Sequence, residues 1–184
     1  MKHACWIVLF LLLTGCDVVL PKVTPVIPTA APTPTLPSEY DEFECIPKNT
    51  ERQAGVVVDV LDDTTIEVQM EDGSISRVRY IGIGLYDVFL QYAEEAKSFN
   101  EKLVEGKPVT LVRDGENTDE NGNLWRYVIV EDTFVNFRMV ASGYSRTTGL
   151  PRDMSDDCLE MFLNMEMGAA ESDRGIWGGS ASTP

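Results

Sequence analysis

The chain has 184 residues, 43% of them apolar and 24% charged, enough for one soluble domain with accessory segments. Acidic residues outnumber basic ones 30 to 15, giving a formal charge of −15, so the average surface repels polyanions and shows no basic footprint for nucleic acid. His3 is the only histidine and lies in a segment that reads as removable, which excludes Ser-His-Asp and Cys-His nucleophile systems, and histidine-bearing metal sites, from the mature chain.

That segment opens with Met1-Lys2-His3 and continues as an apolar run from Ala4 to Leu13. The run is too short to span a bilayer, and residues 1–15 read as a secretory signal peptide. They end in Leu13-Thr14-Gly15 followed by Cys16, which resembles the lipobox of bacterial lipoproteins. The resemblance implies lipidation at Cys16 and a chain held on the extracytoplasmic face of a bacterial membrane. A plain signal peptide with an incidental cysteine is the alternative. One fatty chain holds a protein only marginally, whereas the implied modification carries several. Residues 16–39 then form a linker containing Pro21, Pro25, Pro28, Pro32, Pro34 and Pro37. Proline at this density favours extended polyproline II, so about twenty residues reach ~60 Å.

An N-terminal arm, residues 40–54, contains Cys45. With Cys5 removed and Cys16 lipidated, Cys45 and Cys158 remain as a pair in an oxidising compartment, and a disulfide is predicted. It staples the arm to a C-terminal helix. Two free thiols or a shared metal is the alternative, although two cysteines without histidine make a poor zinc site. Val56, Val58 and Val60 alternate along a first strand, and Ile66, Val68 and Met70 along a second, each set predicted to face the core. Glu71-Asp72-Gly73 supplies the turn, and a third strand runs from Ser76 to Ile83, ending in Gly82-Ile83-Gly84. Tyr92 to Gly106 reads as a helix with Ala93, Ala96, Phe99, Leu103 and Val104 on one face. Strands are predicted at Val109–Val112 and Trp125–Val130, with a turn at Asn121-Gly122 between them. The oxygen-rich run Asp119–Asn123 lacks the sixth-position glycine and closing glutamate of a calcium loop. Helices are predicted at Val135–Tyr144 and Cys158–Ala170, with Gly175-Ile176-Trp177 as a structural plug before a tail at 179–184.

Two stretches, Val60-Leu61-Asp62-Asp63-Thr64-Thr65-Ile66 and Val78-Arg79-Tyr80-Ile81-Gly82-Ile83-Gly84-Leu85-Tyr86-Asp87, resemble the motifs of the thermonuclease (staphylococcal nuclease) family. Those motifs are roughly V-(I/V)-D-G-D-T-(V/I) and V-R-L-x-G-I-D-T-P-E. The helices at Glu95–Lys107 and Val135–Tyr144, and the Gly175–Trp177 ending, resemble the family too, so the likeness covers about residues 55–178. It implies an α+β, mainly β fold: a five-stranded OB-fold barrel with three flanking helices. It also implies calcium-dependent hydrolysis of DNA or RNA, using metal-holding carboxylates, a base-like glutamate and two phosphate-clamping arginines.

Carried onto this chain, the metal carboxylate positions hold Thr64 and Gly84, and the neighbouring threonine position holds Leu85. The glutamate becomes Asp87, one arginine is retained as Arg79, and the other becomes Asn123. Asp62 and Asp63 are weak metal candidates, because a one-residue displacement on a strand turns a side chain to the other face unless the turn is rebuilt. Arg126 reads as a surface contact, and Arg79 with Asp87 as a residual ion pair at the barrel mouth. Losing one electrostatic donor typically slows such a reaction a hundred- to a thousandfold, and here three groups are replaced. The expectation is therefore a pseudoenzyme with no resident cofactor, binding protein, peptide, glycan or a cation. The other reading is a calcium-dependent nuclease with a site rebuilt around Asp62, Asp63, Arg79 and Asp87.

Overall fold

In the computed structural model, which describes residues 43–179, eight strands and three helices follow one another in the expected order. They are β1 (Arg52–Val60), β2 (Thr65–Met70), β3 (Ile75–Tyr80), β4 (Ile83–Gly84), α1 (Ala93–Val104), β5 (Pro108–Val112), β6 (Leu124–Val130), β7 (Thr133–Phe134), α2 (Val135–Ala141), β8 (Arg146–Thr147) and α3 (Asp156–Glu171). Short 3-10 helices occupy Asp87–Tyr92 and Gly175–Trp177. The signal, lipidation and proline-linker readings lie outside the described residues. Among the described residues no helix is long and apolar enough to cross a membrane.

β1, β2 and β3 form consecutive antiparallel hairpins, β5 pairs with the free edge of β1, and β6 pairs with β5. A parallel seam between β3 and β6 closes the five long strands into a barrel, which removes the open edges that would otherwise invite pairing with another chain. Ile66, Val68, Val78, Leu111 and Val128 fill it, all fully buried. β4 and β8 make a separate short pair beside it.

The first strand departs from its sequence pattern. Val57 and Val60 are buried, while Val56 and Val58 are exposed. The register runs Val57 opposite Val68 and then Asp59 opposite Glu67, so Val58 is an extra residue in a β-bulge. One inserted residue inverts the inside-outside parity, so Val60 faces the core as expected while the expected face of Val56 and Val58 is corrected. The third strand likewise stops at Tyr80 rather than Ile83, because the chain turns at Ile81-Gly82 to start β4.

α3 begins where Ser155 accepts a hydrogen bond from Cys158 N–H at 3.5 Å, with Asp156 and Asp157 in the first turn meeting the helix dipole. Cys158 is disulfide-bonded to Cys45, so the free-thiol and shared-metal alternatives fall. α1 buries Ala96 and Val104 as expected, but also Asn100, which the apolar pattern did not include. At the far end of the chain Ile176 N–H donates to Gly143 O at 2.9 Å. Gly143 (φ 75°) and Gly175 (φ 51°) face each other so closely that a Cβ on Gly143 would run into the Arg174 carbonyl, and one on Gly175 into that of Gly143.

Candidate functional site at the barrel mouth

The β1–β2 turn is built inward. Asp62 Oδ1 accepts from Thr64 N–H at 2.8 Å, an Asx turn that commits this carboxylate to its own loop. Asn100 Nδ2 donates to the Asp62 carbonyl at 3.0 Å, and the Tyr80 hydroxyl donates to Asn100 Oδ1 at 2.9 Å. Burial holds that phenol far above its ordinary titration range. Thr64 itself is buried, and its carbonyl accepts from Tyr80 N–H at 2.9 Å.

Asp63 is only 8% exposed, and its Oδ2 accepts from the Ser145 hydroxyl at 2.9 Å. Burial pushes its carboxyl up to about 6; the Ser145 bond opposes the shift and the Asp62 charge adds to it. The sign for stability follows. The unfolded carboxyl ionises near 3.8, whereas the folded one keeps its proton until about 6, so folding stability falls as pH rises through that window. Asp63→Asn should therefore stabilise the fold above pH 6, by roughly 2–3 kcal/mol at most, and change little near pH 4. Denaturant melts of both proteins across pH 4–8 check this; a gain independent of pH would reject it.

Arg79 stands opposite Trp125 in the parallel β3–β6 register, which places its guanidinium 5.3 Å from the ring centroid. Its ion-pair partner is Asp119 at 3.9 Å, not Asp87. Asp87 is exposed at the start of its 3-10 turn, and the expected Arg79–Asp87 pair is corrected. Asp119 also accepts from the Asn121 and Asn123 N–H groups and from Asn123 Nδ2, all within 2.9 Å. Burial would raise the Asp119 carboxyl, but these bonds and Arg79 outweigh it and hold the group below its ordinary value. Asn123 therefore fastens its own loop.

Arg126, expected at the surface, is 1% exposed. Nε and Nη2 donate to Gln53 Oε1 at 3.1 and 2.9 Å, and Nη2 also reaches Asn117 Oδ1 at 3.0 Å. β6 is covered on both sides along most of its length, so no exposed position was left for it.

Gly84 pairs with Arg146 across β4 and β8, and Leu85 follows, half-buried. A Cβ at Gly84 would sit 3.2 Å from Thr148 Cγ2, tighter than ordinary contact. Arg146 turns to α3: Nη2 and Nε donate to Glu166 Oε1 at 2.6 and 2.7 Å, and Glu166 Oε2 accepts from Thr147 N–H at 2.7 Å. Tyr86, Phe89 and Trp177 surround the same guanidinium with ring centroids at 5.3, 5.5 and 4.9 Å. Sequence reasoning missed this cluster and Ser145; the aromatic residues were visible, but Arg146 lies far along the chain from all three of them.

The concave feature here is a cavity of about 520 Å³ lined by Arg79, Trp125 and the 116–121 and 150–153 loops. Arg79 is thus the residue of the expected site that lines it. Asp62, Asp63, Thr64, Gly84, Leu85, Asp87 and Asn123 do not. Among the described residues no three His, Cys, Asp or Glu side chains gather as a metal-holding group.

No curated protein matches the chain. A family model described as staphylococcal nuclease homologue matches residues 77–179, more than half of the chain, spanning Arg79, Gly84, Asp87 and Asn123. With the barrel, its parallel seam and three helices, that match makes the chain a member of the staphylococcal nuclease homologue family.

Proposed function

We propose that this is a catalytically degenerate nuclease-fold domain, carried as a lipoprotein on the extracytoplasmic face of a bacterial membrane and acting as a binding module. The observation that carries the degenerate reading is the engagement of the two substitute carboxylates: Asp62 holds Thr64 N–H and Asp63 is buried against Ser145. A hard divalent cation needs several oxygen ligands aimed at one point, and these two are aimed elsewhere. Of the two family clamps, Arg79 remains while Asn123 staples its loop. The lipid anchor rests on Cys16 and its preceding motif, and the proline-rich stretch gives the domain its reach.

The test titrates the full chain in detergent with calcium by calorimetry, with and without a nucleoside diphosphate, alongside DNA and RNA cleavage. No calcium heat and no cleavage above buffer is the expected result. The second reading, a calcium-dependent nuclease with a rebuilt site, is favoured by the position of Arg79 in the cavity wall with its side chain 43% exposed. Calcium-dependent cleavage abolished by Arg79→Ala would establish that reading and sink the first.

A further inference from the structure

The geometry points to the cavity beside Arg79 as the site of a small zwitterion, of the amino-acid or short-peptide class; this assignment rests on the binding-module reading above. At about 520 Å³ the cavity lies within the 300–1,000 Å³ range of small-molecule sites. Its lining carries both signs of charge. Arg79 and Arg152 supply guanidinium groups, while Glu116, Asp119, Glu120 and Asp153 supply carboxylates, Asp119 being engaged by Arg79 and its own loop.

Arg79 is held in place on Trp125 and by its Nη1 contact to Asp119, with 43% of its side chain still exposed on the lining. Arginine is also the side chain best shaped for a carboxylate. The acids of the opposite sign exclude a second class of ligand. Glu116, Glu120 and Asp153 are all exposed on the lining, and their charge repels a polyphosphate backbone that Arg79 and Arg152 alone would attract. They suit an ammonium group instead. Asp153 Oδ1 accepts from Glu116 N–H at 3.1 Å, which ties the 116–121 loop to the 150–153 loop and fixes the acidic part of the wall. A ligand with one carboxylate and one ammonium therefore meets both signs of charge on this lining, and a simple anion or cation only one.

The test measures calorimetric binding of triglycine with free termini to the full chain in detergent, against triglycine acetylated at its N-terminus and triglycine amidated at its C-terminus. The free peptide should bind, and blocking either end should weaken it at least about tenfold, the loss expected for one charge-assisted contact. Arg152→Ala and the Glu116→Gln/Glu120→Gln pair alter exposed side chains, so the melting temperature should stay near that of the parent. Arg152→Ala should reduce the penalty of amidation, Arg79 retaining the rest, and the double variant should reduce the penalty of acetylation. Equal binding of free and blocked peptides, or no peptide binding at all, overturns the assignment. Calcium-dependent cleavage in the same preparation instead overturns the degenerate reading on which it rests, so the two failures are separable.

Discussion

Replacing Cys45 and Cys158 by alanine should lower the unfolding free energy by up to about 4.7 kcal/mol, the chain-entropy value for loops of about a hundred residues. The bridge spans 113 positions, so the whole barrel lies inside the loop that it closes, with most of α3 beyond it. Cys158 is fully buried at the start of α3, and alanine avoids placing a hydroxyl there. For a chain of this size the melting temperature should fall by roughly 10–15 °C. The parent protein in reductant should show the same fall, and the variant should be insensitive to reductant. A drop of one or two degrees would mean that the cross-link restrains an unfolded chain that is already compact.

Glu166→Ala should have an effect nearly as large, about 3–5 kcal/mol, for a different reason. Glu166 is 8% exposed and holds two atoms of Arg146 together with the Thr147 N–H. Its removal leaves a guanidinium enclosed by Tyr86, Phe89 and Trp177 with its counter-charge gone. It also leaves a main-chain donor of β8 without an acceptor. Glu166→Gln keeps an acceptor and loses only the charge, so it should fall between. Arg146→Met in the Glu166→Gln background should recover part of the loss, since a buried pair replaced together is far less harmful than one partner removed. Chemical denaturation of the parent, Glu166→Gln, Arg146→Met and the double variant closes the cycle; strictly additive effects would show that the pair is not an energetic unit.

The order of strands and helices was legible in the sequence because period-2 and helical patterns are local. So were the staple between Cys45 and Cys158 and the family of the barrel. What escaped were features set by residues far apart in the chain. The bulge at Val58 leaves no mark in a run of valines, yet it decides which of them are buried. Asn136, invisible to any apolar pattern, is fully buried and bonds Val128 N–H and the Ile81 carbonyl, joining α2 to β6 and to the turn after β3. Arg126 looked like a surface cation because its partner Gln53 lies seventy-three residues earlier. At the mouth, Thr64, Gly84 and Asn123 could be read against the resembled motif from the sequence alone. The inward aim of Asp63 could not, because Ser145 arrives from beyond α2.

The two facing glycines set the local dielectric of a charge that neither of them touches. Gly143 and Gly175 let the turn carrying Trp177 settle against the end of α2, and Trp177 is the nearest of the three rings over Arg146. A side chain at Gly143 would displace that turn by colliding with main chain, which cannot swing aside as a flexible side chain can. Water would then reach more of the guanidinium, whose side chain is already 31% exposed, and the Arg146–Glu166 attraction would weaken toward that of an exposed pair. The strength of an ion pair between β8 and α3 is in this sense written at a position with no charge and no side chain at all.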